Sequence, residues 1–173
     1  MRSSRGFSLI ELLIVVAIIL VIAAIAIPNM LQAKLAANEA SAAGSLSAIK
    51  SAEVTYYTAY PTVGYSADIA SLGGPVPCAP ASTSACLIDS YLSSSIPGSP
   101  GKSGYVYLVT GIMTGGATIN TAFVAAAAPM TVNSTGNHDY CTTNDGILRS
   151  KMASPGDVPV TTLASCVAFP VAQ

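Results

Sequence analysis

The chain of 173 residues is long enough for one domain with a hydrophobic core and an additional segment. Only 9% of its residues are charged and 51% are hydrophobic, whereas ordinary soluble proteins have about 25% charged residues. This composition indicates a chain that lies partly in lipid or against copies of itself. The formal net charge of −1 argues against nucleic-acid binding, which needs a strongly basic surface. The chain has one histidine and no tryptophan, so we expect neither an enzyme active site nor a cofactor.

The first predicted element is a long apolar helix. Residues 7–27 contain a single charge, Glu11, and as a helix they would extend about 32 Å, which matches a bilayer core of roughly 30 Å. Arg2 and Arg5 precede this run and should stay in the cytoplasm, so the rest of the chain would be exported. The alternative is a secretory signal cut after residues 24–26, but no polar segment follows the run, and a discarded signal leaves Glu11 unexplained.

The residues at the start of the run resemble a known family. Residues 5–12, RGFSLIEL, are similar to the processing site and mature N-terminus of type IV pilins and of type II secretion pseudopilins, and the short leader is closer to the type IVa branch. The resemblance implies that a prepilin peptidase cuts between Gly6 and Phe7 and then methylates the amine of Phe7. It also implies that Glu11 is the assembly glutamate of the family and that Pro28 is its helix-breaking proline.

The resemblance further implies a structural subunit. Its partners would be other pilin subunits in a homopolymer, the prepilin peptidase, and an inner-membrane assembly platform with its ATPase. The precursor would lie in the bacterial inner membrane before assembly and in a cell-surface pilus afterwards, with a role in adhesion or motility. The alternative is a pseudopilin of a type II secretion system, because the N-terminal residues do not distinguish the two.

Glu11 has two interpretations. A charge at the centre of a membrane helix costs roughly 2.5–3.5 kcal/mol, so a retained glutamate needs a partner. Ser8 and Glu11 fit the S-x-x-E capping box, in which the glutamate accepts a hydrogen bond at the helix start. The favoured interpretation is that Glu11 pairs with the amine of Phe7 in a neighbouring subunit and so sets the register of assembly.

The helix pattern continues from residue 29 to Tyr60, where Pro61 ends it. Apolar side chains recur at spacings of three, four or seven, and these are Leu31, Leu35, Ala42, Leu46, Ile49, Tyr56 and Tyr60. Charged and amide side chains take the other positions, and these are Lys34, Asn38, Glu39, Lys50 and Glu53. The sequence therefore predicts a leader at 1–6, a transmembrane assembly helix at 7–28 and an amphipathic continuation at 29–60.

Residues 61–104 are rich in Pro, Gly, Ser and Ala and are interpreted as an αβ-loop with one helical turn around residues 87–92. The four cysteines, Cys78, Cys86, Cys141 and Cys166, include no CxxC pair. A zinc site is therefore disfavoured and disulfides in an oxidising compartment are favoured. Of the three pairings, we favour the sequence-local ones, Cys78–Cys86 and Cys141–Cys166, with four buried free thiols as the alternative.

Strand patterns occupy the region 105–173. Residues 105–112 are β-branched and aromatic, residues 118–128 are similar but weaker, and residues 139–143 and 147–151 flank an Asn-Asp-Gly turn. The fold class is therefore α+β, with a long N-terminal helix, its first half transmembrane, packed on an antiparallel sheet of three to four strands. The tail beyond residue 151 would be tied back by Cys166.

Two possible ligand sites are weak. Residues 98–103 contain GKS but lack the earlier glycine of a phosphate-binding loop. His138, Asp139, Asp145 and Asp157 could indicate a cation site, but they lack EF-hand spacing, and turn formation explains two of them. We therefore expect no metal and no nucleotide.

Overall fold

The computed structural model of the chain describes residues 7–172. The expected leader, residues 1–6, lies outside the described residues, and so does Gly6. Two compact units divide between Lys34 and Leu35, and each is described by itself below.

The first helix, α1, spans Leu9–Ala59 and contains 51 residues. It ends just before Tyr60-Pro61, as the proline predicts. Pro28 lies inside α1, so the helix break expected there is not seen. Proline lacks a backbone N–H and removes one hydrogen bond of the helix, but the helical bonds continue on both sides of it.

The sheet in the second unit has four strands in the order β1-β2-β3-β4, with every neighbouring pair antiparallel. The strands are β1 (Tyr105–Ile112), β2 (Ala122–Pro129), β3 (His138–Thr143) and β4 (Arg149–Met152). The α+β fold with a small antiparallel sheet is thereby confirmed. β2 begins four residues later than the sequence pattern indicates, because residues before it form a turn with Gly115 and Gly116 at positive φ.

The core of this unit lies between the sheet and the part of α1 that follows Leu35. Five of the seven positions predicted for the apolar stripe are buried, whereas Leu31 is exposed and Tyr60 is half-buried. The stripe also includes Glu53, which is fully buried. The expectation that Glu53 lies away from the stripe is therefore wrong, since it follows Ile49 by four positions and Leu46 by seven.

Strand β2 is buried along its whole length and contributes to two apolar clusters. Phe123, Ala125 and Ala127 pack in the cluster that includes Leu46 and Ile49 of α1. On the other face, Val124 and Ala126 pack with Cys141, Cys166, Leu163 and Phe169. The sheet therefore has a hydrophobic layer on each side.

Three short helices complete the second unit, and each begins at a capping side chain. α2 (Ile69–Leu72) starts after Asp68, α3 (Ser90–Ser93) after Asp89, and α4 (Leu163–Val167) after Thr162. In each case the side-chain oxygen of the cap accepts a hydrogen bond from a backbone N–H in the first turn. α3 is the helical turn expected near residues 87–92, whereas the sequence analysis did not predict α2 or α4.

Candidate functional site

The N-terminal part of α1 carries an exposed apolar surface, which we call the apolar band and define as residues 7–31. Its large hydrophobic side chains are exposed throughout, from Phe7 at 85% to Ile27 at 68%. By length and composition this helix is apolar enough to cross a membrane. A surface of this kind is unfavourable in water, at about 25 cal/mol per Å². The band therefore needs lipid or other protein around it.

Glu11 is the only charged side chain between Phe7 and Lys34, and it lies in the first turn of α1. Its Oε2 atom accepts a hydrogen bond from the backbone N–H of Ser8 over 3.0 Å. This bond satisfies one of the donors left free at a helix start, and the carboxylate also interacts favourably with the positive end of the helix dipole. The glutamate half of the capping box is thus formed within a single chain.

The capping bond leaves the second interpretation of Glu11 open. Phe7 lies directly before this turn and is exposed. The carboxylate of Glu11 has a second oxygen, Oε1, which forms no hydrogen bond within the described residues. Pairing between Glu11 and the Phe7 amine of a second subunit involves two chains and stays a prediction.

The structure joins the four cysteines as Cys78–Cys86 and Cys141–Cys166, with Cα–Cα distances of 6.1 Å and 5.8 Å. These are the sequence-local pairs that the sequence analysis favours. The first bond closes an exposed loop of the region 61–104. The second is buried and connects β3 to α4. The two bonds therefore hold different parts of the second unit.

The carboxylates weighed as cation ligands have partners within the protein. Asp139 and Asp157 both contact Lys151 Nζ, at 3.2 Å and 2.7 Å. Hydrogen bonds from Arg149 lower the pKa of Asp145 to about 2. Among residues 7–172, no group of three or more His, Cys, Asp or Glu side chains could hold a metal ion.

The side chain of His138, which precedes Asp139 in β3, contacts α1. Its Nδ1 is 3.1 Å from Oε1 of Glu39, which also accepts a hydrogen bond from the backbone N–H of Asn137 over 2.7 Å. Nearby, the side-chain amide of Asn38 donates to the carbonyl of Thr135 over 2.9 Å. These contacts attach the β2–β3 connection to α1, which is a structural role.

Glu53 is buried, although its position in the sequence predicted a place on the polar face. Its carboxyl accepts hydrogen bonds from the backbone N–H of Ser66, over 2.9 Å, and from the Ser66 hydroxyl. Burial is the largest influence on this group and raises its pKa to about 7. Its helical spacing from Ile49 and Leu46 was the available signal, but a glutamate is rarely fully buried.

Comparison with known proteins gives matches to the first part of the chain. A family described as the prokaryotic N-terminal methylation motif matches residues 1–27. The chain is 59% identical over 39 residues to the type IV wide pilus major component PilA4 of Thermus thermophilus, which covers 22% of this chain and 30% of the relative. It is 44% identical over 55 residues to the type IV major pilin protein PilA of Myxococcus xanthus, which covers 32% of this chain and 25% of the relative.

These matches are confined to a limited part of each protein, since the chain spans less than a third of the length of the curated relatives it matches. No solved structure matches the chain significantly. The resemblance predicted from residues 5–12 is nevertheless confirmed: the chain carries the prokaryotic N-terminal methylation motif, and in its N-terminal part it is similar to type IV pilins.

Proposed function

We propose that this chain is the structural subunit of a type IV pilus and polymerises through the N-terminal part of α1. The observation that supports this best is the apolar band, whose large side chains are exposed and which contains one carboxylate in its first turn. A helix of this kind is stable in a bilayer as a precursor. It is equally suited to pack against the same helix of other subunits, which makes the chain a filament component without catalytic function.

The matched relatives favour a pilus subunit over a pseudopilin. Both are named as major components of type IV pili. Neither the apolar band nor Glu11 distinguishes the two possibilities, because the N-terminal motif is common to both. Long surface fibres in electron micrographs are the expected result, whereas loss of protein secretion on deletion, without such fibres, would indicate the pseudopilin.

The proposal includes processing at the N-terminus. A prepilin peptidase would cut between Gly6 and Phe7 in the inner membrane and methylate the new amine. Mass spectrometry of the surface protein should give a first residue of N-methylated Phe7. A first residue of Ile27 would instead show removal of a secretory signal, and retention of Met1 would show a permanent membrane anchor.

Assembly by charge pairing follows from the position of Glu11. In a subunit that lies alone in lipid, the carboxylate has the capping bond from Ser8 as its partner. Much of the free-energy cost of placing a charge in the membrane then remains. A second subunit can offer the amine of its own Phe7, which is created by the proposed cleavage. An oppositely charged pair in a low-dielectric environment interacts more strongly than in water, and its short range would fix how far one helix slides along the next.

Replacing the carboxylate of Glu11 separates the two interpretations. Glu11→Gln retains an oxygen that can accept the Ser8 N–H bond, but it removes the charge. We expect a large fall in filament yield, by tenfold or more, with the unassembled subunit still present in the membrane. Sheared filaments and membrane fractions, quantified by immunoblotting in a host with pilus machinery, give both quantities.

Ser8→Ala is a control for substitution in this turn, because it keeps both the carboxylate and the backbone N–H that donates to it. Filament yield for Ser8→Ala should stay near the wild-type level. Wild-type filament yield from Glu11→Gln would contradict charge pairing and leave capping as the role of Glu11.

Polymerisation needs energy from outside the chain, and we propose a separate ATPase and an inner-membrane platform as its source. Moving the apolar band from lipid into a bundle of helices replaces one apolar environment with another, so the hydrophobic gain is small. The subunit would therefore pass from the inner membrane to a surface filament only with this machinery.

A further inference from the structure

A second feature of the chain lies far along α1 from the proposed assembly segment and does not depend on it. Glu53 is fully buried. Within residues 7–172, no ion pair includes its carboxyl. A buried carboxylate without a cation is strongly disfavoured, and such a group normally takes up a proton instead.

Both oxygens of this carboxyl bind one residue of the following segment. Oε2 accepts the backbone N–H of Ser66 over 2.9 Å, and Oε1 contacts the Ser66 hydroxyl. The same hydroxyl lies 3.1 Å from the carbonyl oxygen of Asp68. When Glu53 is protonated, its own O–H can donate to the Ser66 oxygen, whose hydroxyl can then donate to the Asp68 carbonyl. The contact can therefore form with a neutral carboxyl.

Ser66 belongs to a segment that lies between α1 and the sheet, which we call the strap and define as residues 63–68. On the sheet side, Asn120 exchanges backbone hydrogen bonds with Val63 and Tyr65, at 3.0 Å and 2.9 Å. Its side-chain amide also donates to the Tyr65 carbonyl over 3.0 Å. The backbone N–H of Gly111, in β1, donates to the carbonyl of Ala67 over 3.2 Å.

The two sides of the strap differ in what holds them. Amide groups that do not titrate hold it to the sheet. On the α1 side, the backbone N–H groups of Val63 and Gly64 donate to the carbonyl of Tyr60 at the end of the helix, over 2.9 Å and 3.1 Å. The side-chain bonds are those between Glu53 and Ser66. Tyr65 adds packing contacts on both sides. Its ring centroid lies 4.8 Å from that of Tyr57 in α1 and 4.9 Å from that of Phe123 in β2. Beyond Gly64, the hydrogen-bonded attachment of the strap to the helix therefore depends on Glu53, a group that can change its charge.

The titratable groups around Glu53 do not favour a negative charge on it. Tyr56 of α1 and Tyr65 and Asp68 of the strap face it, and all three are neutral or negative. Burial is the main cause that raises the pKa of Glu53 to about 7, the bonds from Ser66 partly oppose it, and Asp68 adds to the rise.

We propose that Glu53 is a protonation-controlled latch, which holds the strap against α1 in acid and loosens it as the solution becomes neutral or alkaline. In the open state the carboxyl meets water and has an ordinary pKa near 4.5, whereas in the closed state its pKa is about 7. The closed state thus binds the proton more tightly. The equilibrium constant for opening therefore rises with pH between pH 4.5 and about pH 7, and it is constant outside this range.

Release of the strap has a defined structural result. Phe123 is fully buried, and the Tyr65 ring covers part of it. The bonds of Asn120 and Gly111 keep Tyr65 on the sheet beside Phe123 when the strap loosens from α1. The contact that opens is the one between the rings of Tyr65 and Tyr57, which is already partly exposed. The latch therefore controls access to the aromatic surface between these two rings.

The experiment measures Glu53 and the strap separately, on the full-length chain in detergent micelles. Carboxyl carbon NMR should give a titration midpoint for Glu53 near pH 7. Hydrogen exchange of the Ser66 amide, corrected for the intrinsic effect of pH, should become faster between pH 5 and pH 8, by up to about a hundredfold from the two pKa values. A Glu53 midpoint between pH 4 and 5 overturns the proposal, and so does corrected exchange that is constant with pH.

Two variants show which carboxyl is responsible. Glu53→Gln resembles the protonated form and should make the corrected exchange of Ser66 independent of pH. Glu39→Gln changes another carboxyl of α1, which binds Asn137 and His138, and should keep the wild-type pH dependence. A pH-dependent rise that persists in Glu53→Gln overturns the proposal, even where the wild-type chain shows one.

Discussion

Gly64 shows how closely the strap approaches its neighbours. Its φ angle is +85°, which side chains with a Cβ atom rarely adopt. A Cβ atom added there would lie 2.1 Å from the carbonyl oxygen of Asn120, and that oxygen already accepts the Tyr65 N–H. Glycine is therefore required at position 64 for two reasons, backbone conformation and space.

Gly64→Ala should accordingly lower the free energy of unfolding of the second unit by about 3 kcal/mol or more. Gly115→Ala is the matched control, because Gly115 also has a positive φ, +63°, but nothing lies within 4 Å of an added Cβ. We expect the control to cost about 1–2 kcal/mol. Chemical denaturation followed by near-ultraviolet circular dichroism measures both, and equal losses would show that space at Gly64 is unimportant.

Among the elements, α4 depends most on a covalent bond. It has five residues, too few for an isolated helix to be stable in water. Cys166 attaches it to Cys141 of β3, where both side chains are fully buried. Thr162 caps its first turn by accepting the N–H of Ser165. The disulfide and the small cluster around it therefore hold α4 on the sheet, and backbone hydrogen bonds of Pro170 and Ala172 hold the residues that follow.

The two disulfides should differ in what their removal costs. Replacing Cys141 and Cys166 with alanine opens a span of 25 residues, against 8 for Cys78 and Cys86. Chain entropy alone then gives losses of roughly 3–4 and 2–3 kcal/mol, respectively. Burial of Cys141 and Cys166 adds a packing loss for the first pair. Denaturation midpoints of the two double variants test which loss of stability is larger. A larger loss for the variant without Cys78 and Cys86 would contradict the prediction.

Local patterns predicted those elements that are determined by their own residues. β1 has the predicted bounds, since residues 105–112 alternate buried and half-buried side chains at its start and consist of good strand formers. The helix stripe was likewise found by its spacing. The proposed assembly site, at Phe7 and Glu11, was recognised because its motif is contiguous in sequence.

Elements that depend on contacts between residues distant in sequence were harder to predict. α2 and α4 have four and five residues, so their periodicity is too short to detect. β2 is rich in alanine, a weak strand former, and its start was placed too early. Glu53 was assigned to the polar face because the partner that makes its burial tolerable, Ser66, lies in another element.

At the scale of the whole chain, the titrating carboxyls fall into two groups. Burial raises the pKa of Glu53 to about 7 and that of Asp139 to about 6. Hydrogen bonds from Arg149 and Lys151 lower the pKa values of Asp145 and Asp157 to about 2. The first group binds protons more tightly when folded, and the second binds them less tightly. The two groups therefore have opposite effects on stability as pH changes.

The free energy of unfolding of the second unit should thus be highest between about pH 4 and 5. Above this range it falls, because Glu53 and Asp139 must lose a proton while buried. Below it stability also falls, because Asp145 and Asp157 must be protonated and lose their ion pairs. Thermal unfolding of the chain in micelles from pH 2 to 8 measures this profile.

One variant tests each side of this profile of stability against pH. Glu53→Gln should flatten the decline above pH 5, and Asp145→Asn should reduce the change below pH 4. A stability maximum at or above pH 7 would contradict the assignment of the two groups.

The alanines of β2 have a consequence for how this protein can change over evolution. Four consecutive residues, 125–128, are alanines, and each is essentially inaccessible to solvent. Ala125 and Ala127 pack in the cluster of the long helix on one side, and Ala126 packs in the cluster of the disulfide-linked tail on the other. An extra methylene on either side has no free volume to occupy. Sequence drift should therefore be slowest in this strand, while the exposed loops around it are free to diversify.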